Sequence, residues 1–549
     1  MDKQYRPWYE RHPERFEEEQ TQMRARGFVL NEEAFHKRKV IEFSGQSKVD
    51  SSRPLIVRYS DAFPSFPPRV FSDTPGRILE RAHQPDSKEI CLFGPGQPRW
   101  SAELSGTAAI DEAEAIIRQF GNGSKSVDVD VPEPSTAVYH YDAKISVLVP
   151  AGIATQVRPD SQGIVGDFHL CLSRSEIEQG VILDIRWSGN QIKAEQLYHS
   201  WFPQGHHIRG KLVSLTAPPP YLTTFREYQE WLARIGVRRD RWMAFVFPEE
   251  SGISTSTRTA WLIIKSSTDS PLRLVKTYPI IPTERLARVP KAAPLATKKV
   301  VFIGCGNLGS KIAVPLAATG VSRFGLVDPE TYEPDNSLRH EVSMEKFGIH
   351  KAIALYCRLL GFNPQVTGQT EVRFILVGGP NPIEQEEQLV EMIASADLVI
   401  ETTGSHGVSR FINELSYELE VPSMYASVTN GAWGGEIVRV IPSETACWMC
   451  WFNQYEFLRP PSEPAPEIGI FAPGCNQPTF TGTSYETGIV ANMAAWMAAE
   501  TLLRAEAGHT DFNGDYLRWE ARGPSGTLHP TVKILPVERR PLCPVCNSQ

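Results

Sequence analysis

Residues 299–351 open with Lys299-Val300-Val301-Phe302-Ile303-Gly304-Cys305-Gly306-Asn307-Leu308-Gly309 and continue through Asp328, Asn336 and Arg339-His340 to Gly348-Ile349-His350-Lys351. The apolar run 299–303 has strand length, and the glycine turn after it predicts a strand-to-helix junction with the helix starting near Gly309. Glycines let backbone N–H groups approach a phosphate at the positive end of such a helix. Asp328 closes a second predicted strand about twenty residues on, where a ribose hydroxyl is usually held. A dinucleotide dehydrogenase would share all of this. It has no need of Arg339 and Lys351, two fixed cations that suit the charge developing when ATP is attacked at phosphorus. Taken singly, the turn would serve close helix packing and the cations would be solvated surface charge. Taken together, Gly304, Gly306, Gly309, Asp328, Asn336, Arg339 and Lys351 form a candidate nucleotide site.

Two further pairs carry chemistry. Cys447-Trp448-Met449-Cys450 and Cys543-Pro544-Val545-Cys546 offer four thiolates, and zinc takes four soft ligands in a tetrahedron with little backbone strain at Cys-x-x-Cys spacing. The long interval from Cys450 to Cys543 requires the fold to bring them together. Cys475 follows a proline-rich stretch, 460–473, where a loop suits a nucleophile that must swing, and thiolate is intrinsically strong in that role. Cys171, Cys305 and Cys357 fall in a strand, a turn and a helix and read as packing.

The order Asp328 to Glu330, Asn336, Arg339-His340 and Gly348 to Lys351, with the two cysteine pairs, resembles the ubiquitin-activating and sulfur-carrier adenylyltransferases of the ThiF family. The resemblance implies ATP, Mg2+ and Zn2+ as cofactors, with Asn336 contacting ATP. It also implies that Arg339 and Lys351 neutralise the phosphates while a protein's terminal carboxylate attacks the α-phosphate and pyrophosphate leaves. Two departures stand out. His340 occupies the place of a usual glutamine, and Gly404, in Glu401-Thr402-Thr403-Gly404, the place of an aspartate that helps hold magnesium.

Outward from this region, a length of 549 residues suggests about three domains. The net charge of −8 gives no global basic field, so nucleic acid is not an expected partner. Met1 to Arg15 lacks the apolar core of a signal peptide, no apolar run is long enough for a bilayer, and nine cysteines without a disulfide pattern fit a reducing, cytoplasmic setting. No membrane partner is expected.

The first segment, 1–125, predicts a helix at Pro13 to Arg26 closed by Gly27, strands at Val40 to Phe43 and Leu55 to Tyr59, a proline-rich turn at Phe63 to Pro68, and a helix around Ile110 to Ile117. This order, with Ile90-Cys91-Leu92 and Trp100-Ser101, resembles ubiquitin-conjugating enzymes and implies Cys91 as their active-site thiol. His83-Gln84-Pro85 stands where that family has His-Pro-Asn, so the usual oxyanion-stabilising asparagine is missing. Residues 121–136 read as a linker. The middle segment, 126–290, shows strand patterns at Ile145 to Val149, Phe168 to Leu172, Val181 to Trp187, Met243 to Phe247 and Trp261 to Ile264, with a capped helix from Thr224 ended by Gly236. It contains no catalytic constellation and reads as a spacer or docking module. Proline and basic residues at 279–299 mark the next boundary. From 291 to 549, strands and helices alternate, with helices at Ile353 to Leu360, Glu384 to Ala394 and a buried one at Ile489 to Leu503.

The expected fold class is therefore α/β: a C-terminal doubly wound, Rossmann-like adenylation domain with a zinc knuckle, an N-terminal α+β conjugating-like domain and a β-rich middle domain. The expected function is ATP-dependent activation of a partner protein's C-terminal glycine, capture by Cys475, transfer to Cys91 and delivery to a target amine. This arrangement resembles the conjugating–activating fusions of bacterial antiphage (CBASS) operons, which implies a cGAS-like nucleotidyltransferase as the conjugated partner and a homodimer as the working form. Conjugation of a ubiquitin-like protein outside CBASS, a sulfur-carrier adenylyltransferase, and a non-catalytic nucleotide-binding scaffold remain alternatives.

Overall fold

The computed structural model describes residues 6–49, 54–72, 89–90, 92, 100–120, 141–159, 162–220, 222, 224–251, 257–267, 270–455, 458–464, 480–523 and 525–547. Cys91, the triplet His83-Gln84-Pro85, the stretch 121–136 and Cys475 lie outside the described residues. The chain divides into two compact units, Met1–Ala194 with Phe202–Ile280, and Glu195–Trp201 with Ile281–Gln549. No helix among the described residues is long and apolar enough to cross a membrane.

In the first unit, helix α1 (Pro13–Ala25) starts on its proline, and Gly27, at φ +88°, turns the chain out of it. Five strands follow in an antiparallel meander, ordered as in sequence: β1 (Val29–Leu30), β2 (Glu42–Gln46), β3 (Pro54–Arg58), β4 (Arg69–Ser72) and β5 (Glu89–Ile90). Helix α2 (Gly106–Phe120) closes the layer. A buried carboxylate knots these parts: Glu19 accepts the Tyr59 hydroxyl at 2.6 Å and the Gly106 N–H at 2.7 Å, and pairs with Arg15 at 2.9 Å. The strand expected at 40–43 is displaced to Glu42–Gln46, because Lys39 adopts a left-handed cap at φ 58° after a short helix at Glu32–Arg38.

The same unit contains strands β6 (Ile145–Val149), β7 (Gly163–Leu172), β8 (Glu178–Trp187), β9 (Asn190–Lys193), β10 (His206–Ser214), β11 (Trp242–Glu250), β12 (Thr257–Ser267) and β13 (Ser270–Pro279). They run β6-β13-β12-β11-β10-β7-β8-β9, and a further β6–β8 pairing closes the sheet into a barrel. Closure pairs β6 with β8 and leaves only the short β9 at an edge among the described strands. The capped helix is present as α3 (Phe225–Arg234), with Thr224 and Glu227 exchanging bonds at 3.2 and 3.0 Å.

The second unit is an eight-stranded sheet. Its strands are β14 (Lys299–Ile303), β15 (Arg323–Val327), β16 (Thr370–Arg373), β17 (Leu398–Glu401), β18 (Ser423–Val428), β19 (Gly434–Val440), β20 (Tyr516–Arg522) and β21 (Leu528–Leu535), in the order β16-β15-β14-β17-β18-β19-β20-β21. The first five in that order are parallel and the rest antiparallel. Strand β14 is buried on both faces, as a near-continuous apolar run in a parallel sheet should be. Val300 and Phe302 pack with helices α4 (Asn307–Ala318), α5 (Lys351–Phe362) and, further along the chain, Ser484–Leu503; Val301 and Ile303 pack on the other face with α6 (Ile383–Ala394), α7 (His406–Glu418) and α8 (Trp448–Tyr455).

Two expectations need correction here. The helix at Ser484–Leu503, α9, is not buried all round: Val490, Ala494 and Met497 are buried while Ile489 and Trp496 are exposed, so it is a face-on packing helix. Cys357 is exposed on α5 rather than packed, whereas Cys171 and Cys305 are buried as read.

Candidate active site

The chain leaves β14 at its carboxyl end, crosses to β15 on one side, and later returns to β17 on the other. This is the point where strand order reverses, and ligands of open α/β sheets bind in the crevice so created. The glycine turn lies there. Helix α4 starts at Asn307, slightly before the expected Gly309. Two amides of the turn are already committed: the Gly304 N–H donates to Val327 O at 2.9 Å and the Cys305 N–H to Asp328 Oδ2 at 2.8 Å. Among the described residues, nothing accepts from the N–H groups of Gly306 through Gly309, since the helix has no side-chain cap and its first internal bond is Ser310 N–H to Gly306 O.

The glycines do different work. A Cβ on Gly309 would stand 2.1 Å from Gly304 O, so the helix can start against the strand only with glycine there. A Cβ on Gly306 would meet nothing within 4 Å, which leaves open space beside free N–H groups where a phosphate fits. Gly309→Ala should therefore lower the melting temperature of the second unit. Gly306→Val should leave it unchanged while weakening ATP binding by about tenfold or more, measured by calorimetry.

The Cys305 peptide is clamped from both sides. Asp328, nine-tenths buried, takes its N–H with Oδ2 and the Glu330 N–H with Oδ1 at 2.8 Å, so its first task is to hold the turn. Burial pushes its carboxyl up, against the two N–H bonds and the nearby Lys351. His340 bonds Cys305 O at 2.7 Å through Nε2 and accepts the Val342 N–H at 3.1 Å through Nδ1. That pattern assigns the neutral Nε2–H tautomer, one donor beside one acceptor, as a glutamine amide would present. The departure at 340 is thus chemically conservative.

Burial drives the His340 imidazole down to about 4. Above the unfolded value of about 6.5 both states are neutral and nothing is lost; as pH falls toward 4 only the unfolded chain takes up the proton, so stability drops by about 3 kcal/mol across that window. His340→Gln should keep the fold at pH 7 and remove that share of the acid sensitivity, read from urea melts at pH 7 and pH 5.

Lys351 is the first residue of α5 and pairs with Glu330. It lies near enough to Asp328, Cys305 and His340 to alter the proton affinity of each, so the structure brings these groups together. Asn336 Oδ1 accepts the Glu333 N–H at 3.0 Å, and no described residue accepts from its amide nitrogen. Arg339 donates to Phe480 O at 2.7 Å, with its guanidinium over the Phe480 ring at 5.2 Å. A cation absent from the sequence reading is Lys311, buried on α4 and bound to Glu341 at 3.2 Å and Ser484 at 2.9 Å. Nothing in the local sequence marks it, because its partners come from distant segments.

A cavity of about 330 Å³ opens over the carboxyl ends of β17 and β18 and is lined by Gly404, His406, Tyr425, Glu436, Trp448 and Trp451 among others. Gly404, at φ +71°, contributes no ligand atom for magnesium. Its neighbour Glu401 does not replace the missing carboxylate: it is buried and accepts Thr403 N–H at 2.7 Å, Thr403 Oγ1 at 2.5 Å and Ser409 Oγ at 2.6 Å. The strand-end donor set does not fit magnesium.

Both described flanks of residues 465–479 are tied to this place. Thr429 Oγ1 donates to Pro461 O at 2.6 Å, and Thr481 Oγ1 to Glu463 Oε2 at 2.7 Å. Cys475 belongs to the stretch between them, outside the described residues.

The four expected thiols do converge. Cys447 and Cys543 stand 3.4 Å apart at sulfur, Cys450 and Cys546 3.5 Å, Cys447 and Cys450 3.9 Å, and all four lie within 4.8 Å of one another. Zinc–sulfur bonds of about 2.3 Å in a tetrahedron put sulfurs about 3.8 Å apart, so the set fits zinc. The ion would staple α8 to the C-terminal segment. Cys543→Ser should lower bound zinc and cost on the order of several kcal/mol, with residues beyond β21 becoming protease-sensitive. Metal analysis and limited proteolysis read both effects.

Residues 284–545 match the model of the ThiF family. The chain is similar to the uncharacterized protein y4oA of Sinorhizobium fredii, 24% identical over 487 residues that cover 79% of each chain. Similarity to the ATP-dependent ubiquitin transferase-like protein Cap2 of Enterobacter hormaechei is 28% over 163 residues, 30% of this chain and 26% of that protein. The SAMP-activating enzyme E1 of Haloferax volcanii is 24% identical over 259 residues, 46% of this chain and 82% of that enzyme.

Proposed function

Starting from a chain that carries a ThiF-family domain over residues 284–545, we propose that it activates the C-terminal carboxylate of a partner protein with ATP. The observation that carries this reading is the juxtaposition at the strand-order reversal: free N–H groups from Gly306 to Gly309, the cations Lys351 and Arg339, and a separate cavity on the β17–β18 side. A nucleotide over β14 and β15 and a tail entering from the cavity would meet at the α-phosphate. The carboxylate oxygen then bonds to the α-phosphorus as the bridge to the β-phosphate breaks, releasing pyrophosphate. Lys351 and Arg339 offset the charge on the phosphates; for Arg339 this requires release from Phe480, and for Lys351 from Glu330.

The acyl-adenylate is captured by the Cys475 thiolate, releasing AMP, and the thioester passes to Cys91 and then to a target amine. Under this reading the chain has three parts: a conjugating-like segment at 1–125, a docking segment at 126–290 and the adenylation domain at 291–549. It works as a homodimer in the cytoplasm. The meander β1–β5 between α1 and α2, with Ile90 leading into Cys91, supports the conjugating-like part. The similarity to Cap2 favours antiphage (CBASS) defence, with a cGAS-like nucleotidyltransferase as the conjugated protein.

The test is ATP–pyrophosphate exchange with purified chain and a glycine-ended partner protein. Exchange should appear with the intact partner and vanish when its terminal glycine is deleted; exchange that ignores the partner would discard the reading. A nucleotide-binding scaffold is favoured by one observation, the missing carboxylate at Gly404, and it would bind ATP without exchange.

A further inference from the structure

Helix α4 buries a charge beside the glycine turn. Lys311 is 6% exposed, and among the described residues its ammonium bonds to Glu341 Oε1 at 3.2 Å and Ser484 Oγ at 2.9 Å. Taking an ammonium out of water is unfavourable, and an apolar side chain of similar volume in place of a buried ionic one is often neutral or stabilising. What Lys311 joins is specific. Glu341 lies two residues after Arg339, and Ser484 opens α9 four residues after Phe480, whose carbonyl holds the Arg339 guanidinium at 2.7 Å. Arg339 is thus held at its base by one segment and at its tip by another, and Lys311 bonds to both. Further bonds fasten each segment to the turn and its helix. His340 bonds Cys305 O at 2.7 Å, and Ser310 accepts the Glu341 N–H through Oγ at 3.3 Å. On the other side, Thr487 Oγ1 donates to Asn307 Oδ1 at 3.1 Å. Loss of the ammonium would not strand Glu341, which is partly exposed and has the Arg358 guanidinium 4.0 Å away.

We propose that Lys311 is a positioning residue: by bonding Glu341 and Ser484 together it sets where the Arg339 guanidinium falls relative to the N–H groups of Gly306 to Gly309, and so to the phosphates they would hold. Arg339 has to leave Phe480 to meet a phosphate. Once it does, the contact at its tip is gone, and the placement of its base decides where the charge lies. A misplacement of about 1 Å can lower a rate by about 10²-fold. The inference rests on the activation reading for the reaction that Arg339 serves, and on the hydrogen bonds alone for the fastening.

The test is a double-mutant cycle in the full chain, with Lys311→Met, Arg339→Ala and the two combined. Lys311→Met should fold with an unchanged or higher melting temperature and lose ATP–pyrophosphate exchange by about tenfold, yet cause no further loss in the Arg339→Ala background. A residue that merely supported the fold would lower the melting temperature and add its loss to that of Arg339→Ala. The same cycle read by calorimetry with ATP alone needs no partner protein. There Lys311→Met should weaken binding by about threefold and again add nothing to Arg339→Ala. Should Lys311→Met fail to fold, Glu341→Gln, which keeps an acceptor for the ammonium while removing the opposite charge, takes its place in the cycle. Losses that simply add, in either readout, overturn the inference, as does a folded Lys311→Met chain with full exchange and full ATP affinity. A coupled ATP-binding cycle in a chain that shows no exchange even unaltered would keep the fastening and remove the activation reading. Exchange by the unaltered chain with uncoupled losses would do the reverse.

Discussion

Lys351→Ala should reduce ATP–pyrophosphate exchange by about 10²–10³-fold, about 3–4 kcal/mol of barrier, while the fold stays intact. The magnitude follows from where the ammonium sits. It lies at the first position of α5, paired with Glu330 and within electrostatic reach of Asp328. Removing it deletes a cation from a polyphosphate site and leaves Glu330 as uncompensated negative charge beside it. Both changes oppose ATP. Stability should not suffer, because a cation at a helix N-terminus is opposed by the helix dipole and its ion pair with Glu330 is partly solvent-exposed. Circular dichroism and a thermal melt separate the two effects, and exchange that persists in a folded Lys351→Ala chain would strip the residue of its assigned role.

Cys475→Ala should abolish every reductant-sensitive adduct between the chain and a glycine-ended partner, yet leave exchange running, since activation precedes capture. Cys475→Ser should convert the adduct to an oxyester that resists thiols. Cys91→Ala should stall the partner on Cys475 and stop delivery to the amine. These effects are all-or-none because a thioester needs its sulfur, and an amine attacks a thioester far more readily than a free carboxylate. Denaturing gels run with and without reductant read all three. An adduct pattern unchanged in Cys475→Ala would assign capture elsewhere, and delivery that survives in Cys91→Ala would reduce the first unit to a binding module.

The parallel part of the second unit was legible because its signals are local. An apolar five-residue run, a glycine turn and an acid at the next strand end lie within a short stretch, and each has one physical reading. The convergence of Cys447, Cys450, Cys543 and Cys546 was also legible, since ligand number and spacing imply a partner pair even across a long interval. The closed barrel was not. Strand β10 begins His206-His207-Ile208-Arg209 without clean alternation, and the closing β6–β8 pairing is a tertiary event that leaves no mark on either strand. The helix α9 looked buried because alanine and methionine fill both its faces; only packing distinguishes Val490 from Trp496.

Within the candidate site, residue types were readable but their commitments were not. The Gly304 and Cys305 amides belong to the glycine turn yet are spent on Val327 and Asp328. His340 looked like a defect, and its two nitrogens supply a donor and an acceptor where an amide would. Trp448 and Trp451 sit between and beside the first cysteine pair, and nothing in the local sequence gives them a role beyond it. Their role as cavity wall depends on β18 and β19, which a single sequence cannot place beside them.

The account turns on a carboxylate attacking the α-phosphate and a sulfur then displacing AMP. A partner protein whose terminal carboxylate carries oxygen-18 tests this directly: after one turnover with ATP, mass spectrometry of the nucleotide should find the label in AMP, with none in pyrophosphate or phosphate. Label in inorganic phosphate with ADP as the co-product, or no label in any nucleotide product, would contradict it.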